Sequence, residues 1–119
     1  MTSTFTWDDA GTADHDFVVD FVRFDPQTPA KGQSVTVTAV GALRVPITSG
    51  TVQTKVKFGV VHLVSAEEAL PATEAGPYAP QATFTVDENW PAGKYRGILS
   101  FMDQDSTEIG RVDIAFSLS

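Results

Sequence analysis

The sequence contains no cysteine among its 119 residues. A disulfide framework, a thiolate nucleophile and a cysteine-ligated metal are therefore all excluded. A chain of this length can bury a single core without such cross-links. The fold must be held by side-chain packing and backbone hydrogen bonds alone, and we expect one domain over residues 1–119.

Basic residues are also few. Eight Lys and Arg stand against fifteen Asp and Glu, which gives a net charge of −7, and the eight are scattered along the sequence. This argues against nucleic acid or an anionic membrane as the main partner, because both reward clustered basic residues.

Long apolar runs are absent as well. None approaches the ~18 residues that span a bilayer. The N-terminal stretch MTSTFTWDDAG lacks the basic and apolar regions of a signal peptide. We therefore expect a cytoplasmic protein; the alternative is a secreted mature form whose leader has been removed.

The dominant pattern is an alternation of apolar and polar residues, in two runs that lie between Pro29 and Val64. Two runs, VTVTAV from Val35 and TVQTKVKFGVVHLV from Thr51, are joined by a segment rich in turn residues. Alternation places apolar side chains on one face of an extended strand. The side chains concerned are Val35, Val37 and Ala39 in the first run, and Val52, Val56, Phe58 and Val60 in the second.

Further runs indicate strands elsewhere: FVVDFVRF, ATFTVDE, KYRGILSFM and RVDIAFSL. The first has an ambiguous phase, which a bulge or burial on both faces would explain. The segment from Ser65 to Pro80 reads as a loop with at most one helical turn, capped by Ser65 and Glu68 and halted by Pro71. Six or seven strands predict an all-β, immunoglobulin-like antiparallel sandwich of two sheets, with a closed barrel as the alternative.

No pattern of catalytic residues emerges. His15 lies between Asp14 and Asp16, but three adjacent residues of one exposed segment are spaced too closely to surround a metal. DQDSTE lacks the glycine and the glutamate spacing of a calcium loop and reads as a solvated turn. No nucleophile elbow, phosphate loop or dinucleotide fingerprint is present. We expect no enzyme, no cofactor and no metal.

Several stretches in a shared order resemble the ML lipid-recognition family, which includes the Niemann-Pick type C sterol-transfer protein and fungal phosphatidylglycerol/phosphatidylinositol transfer proteins. The stretches are WDDAG, PAKGQSVTVTAVGAL, ITSG, KVKFGVVHLV and WPAGKYRGILSFMDQDSTEIGRVDIAFSL. The fungal branch is the most similar. The family's usual cysteines correspond here to Ala10, a residue near Leu70, a residue within AGPYAP, and Gly110. Their loss fits a reducing compartment.

The resemblance implies a carrier that holds a sterol, a fatty acid or a phospholipid tail between two sheets. It implies an interior lined by Phe58, Val60, Phe84, Tyr95, Leu99, Phe101, Ile114 and Phe116. It places the mouth near Val86 and Trp90, with the Leu70 loop opposite. From alternation alone, each of these residues except Trp90 is more often ordinary sandwich core. Trp90 lies in a turn beside Pro91, where a large apolar side chain has less reason to be buried, so we expect it at the portal.

The expected partners are therefore a lipid and, transiently, a membrane, with the protein a monomer or a weak dimer. The alternative is a non-enzymatic, lectin-like or protein-binding sandwich module with a filled core, acting through its surface and dimerising. An internal cavity of a few hundred Å³ would favour the lipid carrier, and a structure without one would favour the filled-core module.

Overall fold

Nine β-strands make up the computed structural model, which describes residues 5–9, 15–25, 27 and 30–118. The strands are β1 (Thr6–Asp9), β2 (Phe17–Asp25), β3 (Ser34–Leu43), β4 (Gly50–Phe58), β5 (Val61–Leu70), β6 (Gly76–Tyr78), β7 (Gln81–Thr85), β8 (Gly93–Met102) and β9 (Glu108–Leu118). No helix in this part of the chain has the length and apolar character needed to cross a membrane.

The strands form two antiparallel sheets. The larger sheet has the order β1-β9-β8-β4-β5. In the smaller sheet β3 is central and pairs with β2, β6 and β7. The predicted two-sheet sandwich is confirmed, with nine strands instead of six or seven.

The core lies between the sheets and is almost wholly apolar. Twenty-five buried apolar side chains fill it within the described residues, against one buried polar side chain, Thr54. Strands such as β3, β4 and β8 contribute every second residue, as the alternation of Val35, Val37 and Ala39 in β3 shows. By contrast, β1 contributes no buried residue and β5 only Leu70. Fully burying one such side chain contributes ~1.5–3 kcal/mol. Burial is therefore the main source of stability in this cysteine-free chain.

The second alternating run is not one strand, as its pattern suggested, but a hairpin. β4 ends at Phe58, and the chain turns through Gly59, whose φ of 61° lies in the left-handed region that glycine favours. Val60 follows in this turn and is 92% exposed. The prediction that Val60 faces the interior is wrong, because the turn ends the alternation one residue before it.

The prediction of a loop after Val64 is also wrong. β5 continues to Leu70, and Ser65 to Ala69 pair in register with Lys55 to Thr51 of β4. No helical turn begins at Ser65. The ladder hydrogen bonds to β4 outweigh the local capping preference of the Ser65 and Glu68 pair.

The ambiguous phase of β2 results from a bulge. Its register with β3 shifts between Val19 and Phe21, so burial passes from Phe17 and Val19 to Val22. Gly41 of β3 lies opposite Val19 at this point. A Cβ atom at Gly41 would lie 1.8 Å from the carbonyl oxygen of Val18. Only glycine allows the bulged strand to approach so closely.

We expect Gly41→Ala to lower the free energy of unfolding by at least ~3 kcal/mol, because backbone atoms would have to move to admit the methyl group. Gly59→Asn is the control. Its Cβ would meet nothing within 4 Å, and asparagine tolerates positive φ, so the change should stay within ~0.5 kcal/mol. Urea unfolding measures both. A Gly41→Ala protein as stable as the wild type would contradict this account of the bulge.

Candidate functional site

Aromatic rings fill one end of the space between the sheets. Trp90 stacks on Tyr95 with ring centroids 5.4 Å apart, and Tyr95 stacks on Phe116 at 5.2 Å. Phe116 contacts Phe5 at 5.0 Å, which stacks on Phe24 at 4.7 Å. With Phe58 against Tyr95 and Phe84 against Phe116, these seven rings form what we call the aromatic chain. It joins strands of both sheets.

Trp90 is held at the end of this chain by the turn before β8. The side chain of Asp87 accepts a hydrogen bond from the Asn89 amide at 2.8 Å, and the Asp87 carbonyl accepts one from the Trp90 amide at 3.1 Å. The Tyr95 hydroxyl donates to the Pro91 carbonyl oxygen. The turn thus folds the indole inward, and Trp90 is only 9% exposed.

Ten of the eleven predicted lining residues face the interior, Val60 being the exception. Nine are buried, namely Leu70, Phe84, Val86, Trp90, Tyr95, Leu99, Phe101, Ile114 and Phe116, and Phe58 is half-buried. They do not form one mouth. Leu70 pairs with Gly50, and Gly50 lies eight residues along β4 from Phe58. Eight residues of an extended strand span about 26 Å. The expectation that Leu70 faces Trp90 across one opening is wrong.

Sequence reasoning missed Phe5 and Phe24 as members of this interior. Phe5 precedes a four-residue strand, and Phe24 follows the bulge of β2. Alternation places Phe24 on the face of Val22, but it also placed Val18 there, because the position of the bulge could not be known. For Phe5, the available signal was a large apolar group in otherwise polar surroundings.

A second aromatic cluster packs between the sheets at the opposite end. The Phe17 ring lies 5.1 Å from Tyr78 and 5.2 Å from Phe101. A Cβ atom at Gly110 would lie 3.0 Å from Cδ2 of Phe17. Gly110 and the AGPYAP segment, which holds Tyr78, are positions where the resemblance places cysteines. Ring packing occupies this region, whereas Ala10 lies outside the described residues.

The two interior tyrosines differ in how their hydroxyls are satisfied. The Tyr95 hydroxyl has Pro91 as its acceptor. The Tyr78 hydroxyl is buried and has no partner of hydrogen-bonding geometry among the described residues. Burial raises the pKa of both, and the nearby Thr73 side chain slightly offsets the rise in the pKa of Tyr78. Both hydroxyls therefore stay protonated at neutral pH.

Three concavities all lie on the outer face of the five-stranded sheet. The largest, of about 400 Å³, runs over β4, β8 and β9. Its lining includes both cations and carboxylates, namely Lys55, Lys57, Arg96, Arg111, Asp8 and Asp113. The others adjoin it, over the ends of β8 and β9 and over β4 and β5. None of the three lies between the sheets, where the aromatic rings pack together.

The acidic turns do not assemble a metal site. No group of three or more His, Asp or Glu side chains within the described residues could hold a metal ion. Asp14 lies outside those residues. The Asp103 carboxylate accepts hydrogen bonds from the amides of Asp105 at 2.9 Å and Thr107 at 3.0 Å. It therefore closes the hairpin turn that the sequence predicted.

Fold and interior together define a small immunoglobulin-like sandwich whose sheets enclose an apolar, aromatic space. Solved structures share this architecture. A Niemann-Pick type C2 protein from the Japanese carpenter ant is 13% identical, with a TM-score of 0.67 over 96% of this chain and 99% of that chain. Chicken MD-1 complexed with lipid IVa is 12% identical, with a TM-score of 0.66 over 100% of this chain and 93% of that chain. These likenesses show the fold.

Curated relatives from Dictyostelium discoideum show the family. A protein named as a candidate phosphatidylglycerol/phosphatidylinositol transfer protein is 33% identical over 97% of this chain and 87% of its own length. A second, numbered 2, is 33% identical over 94% and 84%. No protein-family model matches the chain. The chain belongs to the ML family of these relatives, and it contains no cysteine.

The two tyrosines provide a matched pair of substitutions. We expect Tyr95→Phe to lower the free energy of unfolding by ~1 kcal/mol, because it removes a satisfied hydrogen bond. We expect Tyr78→Phe to leave that free energy unchanged or raise it by up to ~1 kcal/mol, because it removes a buried hydroxyl without a partner. Thermal and urea unfolding of both variants measure the difference. Equal destabilisation of the two variants would contradict the assignment of partners.

Proposed function

We propose that the protein binds the apolar part of a lipid between its two sheets and transfers that lipid. The observation that carries the proposal is the interior itself. Twenty-five apolar side chains and one polar side chain line or fill it among the described residues. Seven aromatic rings are concentrated at one end of it. The names of the Dictyostelium relatives and the lipid complex of MD-1 support the same function.

Entry of a lipid requires the sheets to separate. In the described residues, strand pairing stays within each sheet. The two sheets are joined by side-chain packing and by the connecting segments, two of which exchange backbone hydrogen bonds at Ile47 and Thr73. Separation at the aromatic chain therefore breaks no ladder hydrogen bond. We propose this end as the entrance, between the turn before β8 and the tip of the β4–β5 hairpin.

The free energies involved favour replacing contacts between aromatic rings by contacts between the rings and the acyl chains of a lipid. An aromatic pair contributes ~0.5–1.5 kcal/mol beyond its burial. Each buried CH₂ group of a ligand contributes ~0.8 kcal/mol, so about a dozen supply ~10 kcal/mol. That is enough to offset the loss of several ring pairs and still bind tightly. No catalytic group is required, since the lipid leaves the protein unchanged.

Phospholipids are the ligand class we propose ahead of sterols and fatty acids. The relatives are named for phosphatidylglycerol and phosphatidylinositol. In this arrangement the acyl chains lie among the rings, and the headgroup stays at the Trp90 end in contact with water. The acyl chains are placed inside and the headgroup outside because the interior contains almost no buried polar side chains.

A second candidate is a surface-acting module with a filled core. The three concavities lie outside the sandwich, and the rings between the sheets pack against one another. A close-packed core that never opens would bind a glycan or a protein through its surface. The experiment below separates the two functions.

Trp90 can report on the interior directly. In Trp7→Phe it is the only tryptophan. We expect phosphatidylglycerol with brominated acyl chains to quench Trp90 fluorescence strongly in this variant, because bromine quenches only on close approach. The protein is incubated with the lipid and separated from vesicles by gel filtration before measurement. The mass of the separated protein, measured under native conditions, gives the number of lipids retained.

The control variant carries its single tryptophan on the protein surface. Phe21 lies on β2 and is 40% exposed. The variant Trp7→Phe/Trp90→Phe/Phe21→Trp therefore carries its tryptophan on the surface and should stay unquenched. Retained lipid without quenching of Trp90, or equal quenching of both reporters, would contradict an interior site. No retained lipid at all would favour the filled-core module.

A further inference from the structure

Folding gathers basic side chains that are dispersed in the sequence. Five of the eight Lys and Arg residues lie on β4, β8 and β9 and alternate with the buried positions of those strands. They are Lys55, Lys57, Lys94, Arg96 and Arg111, and we call them the outer basic face. Although these residues are scattered along the sequence, strand register brings them together on one side of the larger sheet.

The centre of this face holds two like charges directly opposite each other. Lys57 of β4 pairs in register with Arg96 of β8. Like charges at opposed positions of neighbouring strands destabilise a sheet. No carboxylate of the described residues lies within ion-pair distance of Lys55, Lys57 or Arg96. The pair therefore opposes folding, and a bound anion would relieve its repulsion.

Two carboxylates, those of Asp8 and Asp113, line the same groove as these cations. Asp113 accepts a hydrogen bond from Arg111 Nε at 3.4 Å, and Glu67 accepts one from Gln53 at 3.5 Å. Asp8 lies opposite Asp113, on the edge strand β1. Neither Asp8 nor Asp113 forms an ion pair with Lys57 or Arg96. Four cations thus face two carboxylates in the groove, on a chain whose net charge is −7.

The surface beneath these cations is concave. Lys55, Lys57 and Arg96 line the groove of about 400 Å³, as do Asp8 and Asp113. The short side chains of Thr6 and Ala115 leave room beside them. Lys55 and Arg96 are exposed and Lys57 is half-buried. Lys57 and Arg96 lie on neighbouring strands, which are about 4.8 Å apart. The groove can admit a phosphate group between flexible, accessible cations.

We propose that the outer basic face docks on an anionic phospholipid surface, with headgroup phosphates entering the groove beside Lys57 and Arg96. The proposal rests on the proposed transfer function, which requires contact with a membrane. Accessible cations spread over three strands suit a plane of many phosphates better than they would cage one ion. The relatives are named for phosphatidylglycerol and phosphatidylinositol, and both lipids have anionic headgroups.

The docking face adjoins the proposed entrance. Lys57 precedes Phe58, and Lys94 precedes Tyr95, so each cation is followed in its strand by a ring of the aromatic chain. Alternation turns the cation to the outer face and the ring toward the interior. A membrane bound by the cations would therefore lie beside the end of the sandwich at which the sheets separate.

The test compares two double variants that remove the same charge. Lys57→Gln/Arg96→Gln removes the central pair, and Arg23→Gln/Lys31→Gln removes two cations outside the face. Flotation measures binding to vesicles of about three parts phosphatidylcholine to one part phosphatidylglycerol. We expect the first variant to bind about thirty-fold more weakly, and the second to change less than about three-fold. Wild-type binding should weaken as NaCl rises from about 0.05 to about 0.5 M.

Stability provides a second readout. Because Lys57 and Arg96 repel each other, Lys57→Gln/Arg96→Gln should unfold at the same urea concentration as the wild type or a higher one. The charge-preserving swap Lys57→Arg/Arg96→Lys should retain vesicle binding. Equal loss in both charge-removing variants would overturn the proposal, since net charge alone would explain it. So would wild-type binding to pure phosphatidylcholine vesicles at the same affinity.

Further experiments distinguish membrane docking from the binding of other anions and from lipid binding between the sheets. Displacement of the protein from vesicles by millimolar inorganic phosphate would assign the groove to a soluble phosphate and overturn the membrane docking. Binding to polyglutamate without binding to vesicles would overturn it in favour of an acidic protein. Lipid retention is scored independently. Vesicle docking by a wild-type protein that retains no lipid would sink the transfer function and leave the docking face intact.

Discussion

Packing of aromatic rings between the two sheets is the interaction on which the structure depends. No cysteine is present to link the sheets covalently, and strand pairing in the described residues does not cross from one sheet to the other. Phe17 bridges the sheets at one end through Tyr78 and Phe101, and the aromatic chain bridges them at the other. A disulfide in a protein of this size typically contributes ~2–4 kcal/mol. Several ring pairs of ~0.5–1.5 kcal/mol each reach the same order.

The same packing explains how a filled interior can serve a carrier. Side-chain contacts can be exchanged for contacts with an acyl chain, whereas backbone ladders cannot. The two ends differ in this respect. At the Phe17 end, Ile47 and Thr73 exchange two backbone hydrogen bonds of 2.9 Å, which link the segments that connect the two sheets. At the other end, the rings of Trp90 and Phe58 lie at a turn and at a strand terminus. We infer that the Phe17 end acts as the hinge and the Trp90 end opens.

Local pattern was sufficient for the architecture but not for the arrangement of the site. Alternation predicted the buried faces of β3, β8 and β9, because one-sided burial imposes a period of two. It failed at Val60, where a glycine turn ended the strand, and in β5, where pairing with β4 determined the conformation of a segment without a clear period. The family resemblance, in turn, placed Leu70 opposite Trp90, although the distance between them depends on the register along β4. The meeting of Lys57 and Arg96 likewise depends on register, so no sequence spacing could reveal it.

Separation of the sheets at one end is the central claim, and the absence of cysteine allows it to be measured with two engineered labels. Spin labels at Thr85→Cys and Lys94→Cys span the sheets at the Trp90 end, and labels at Ala42→Cys and Ser100→Cys span them at the Phe17 end. Pulsed electron–electron distance measurement with and without bound phosphatidylglycerol compares the two pairs. We predict that lipid lengthens the Thr85–Lys94 distance by several ångströms and leaves the Ala42–Ser100 distance unchanged. A lipid-bound protein in which neither distance changes would contradict the account.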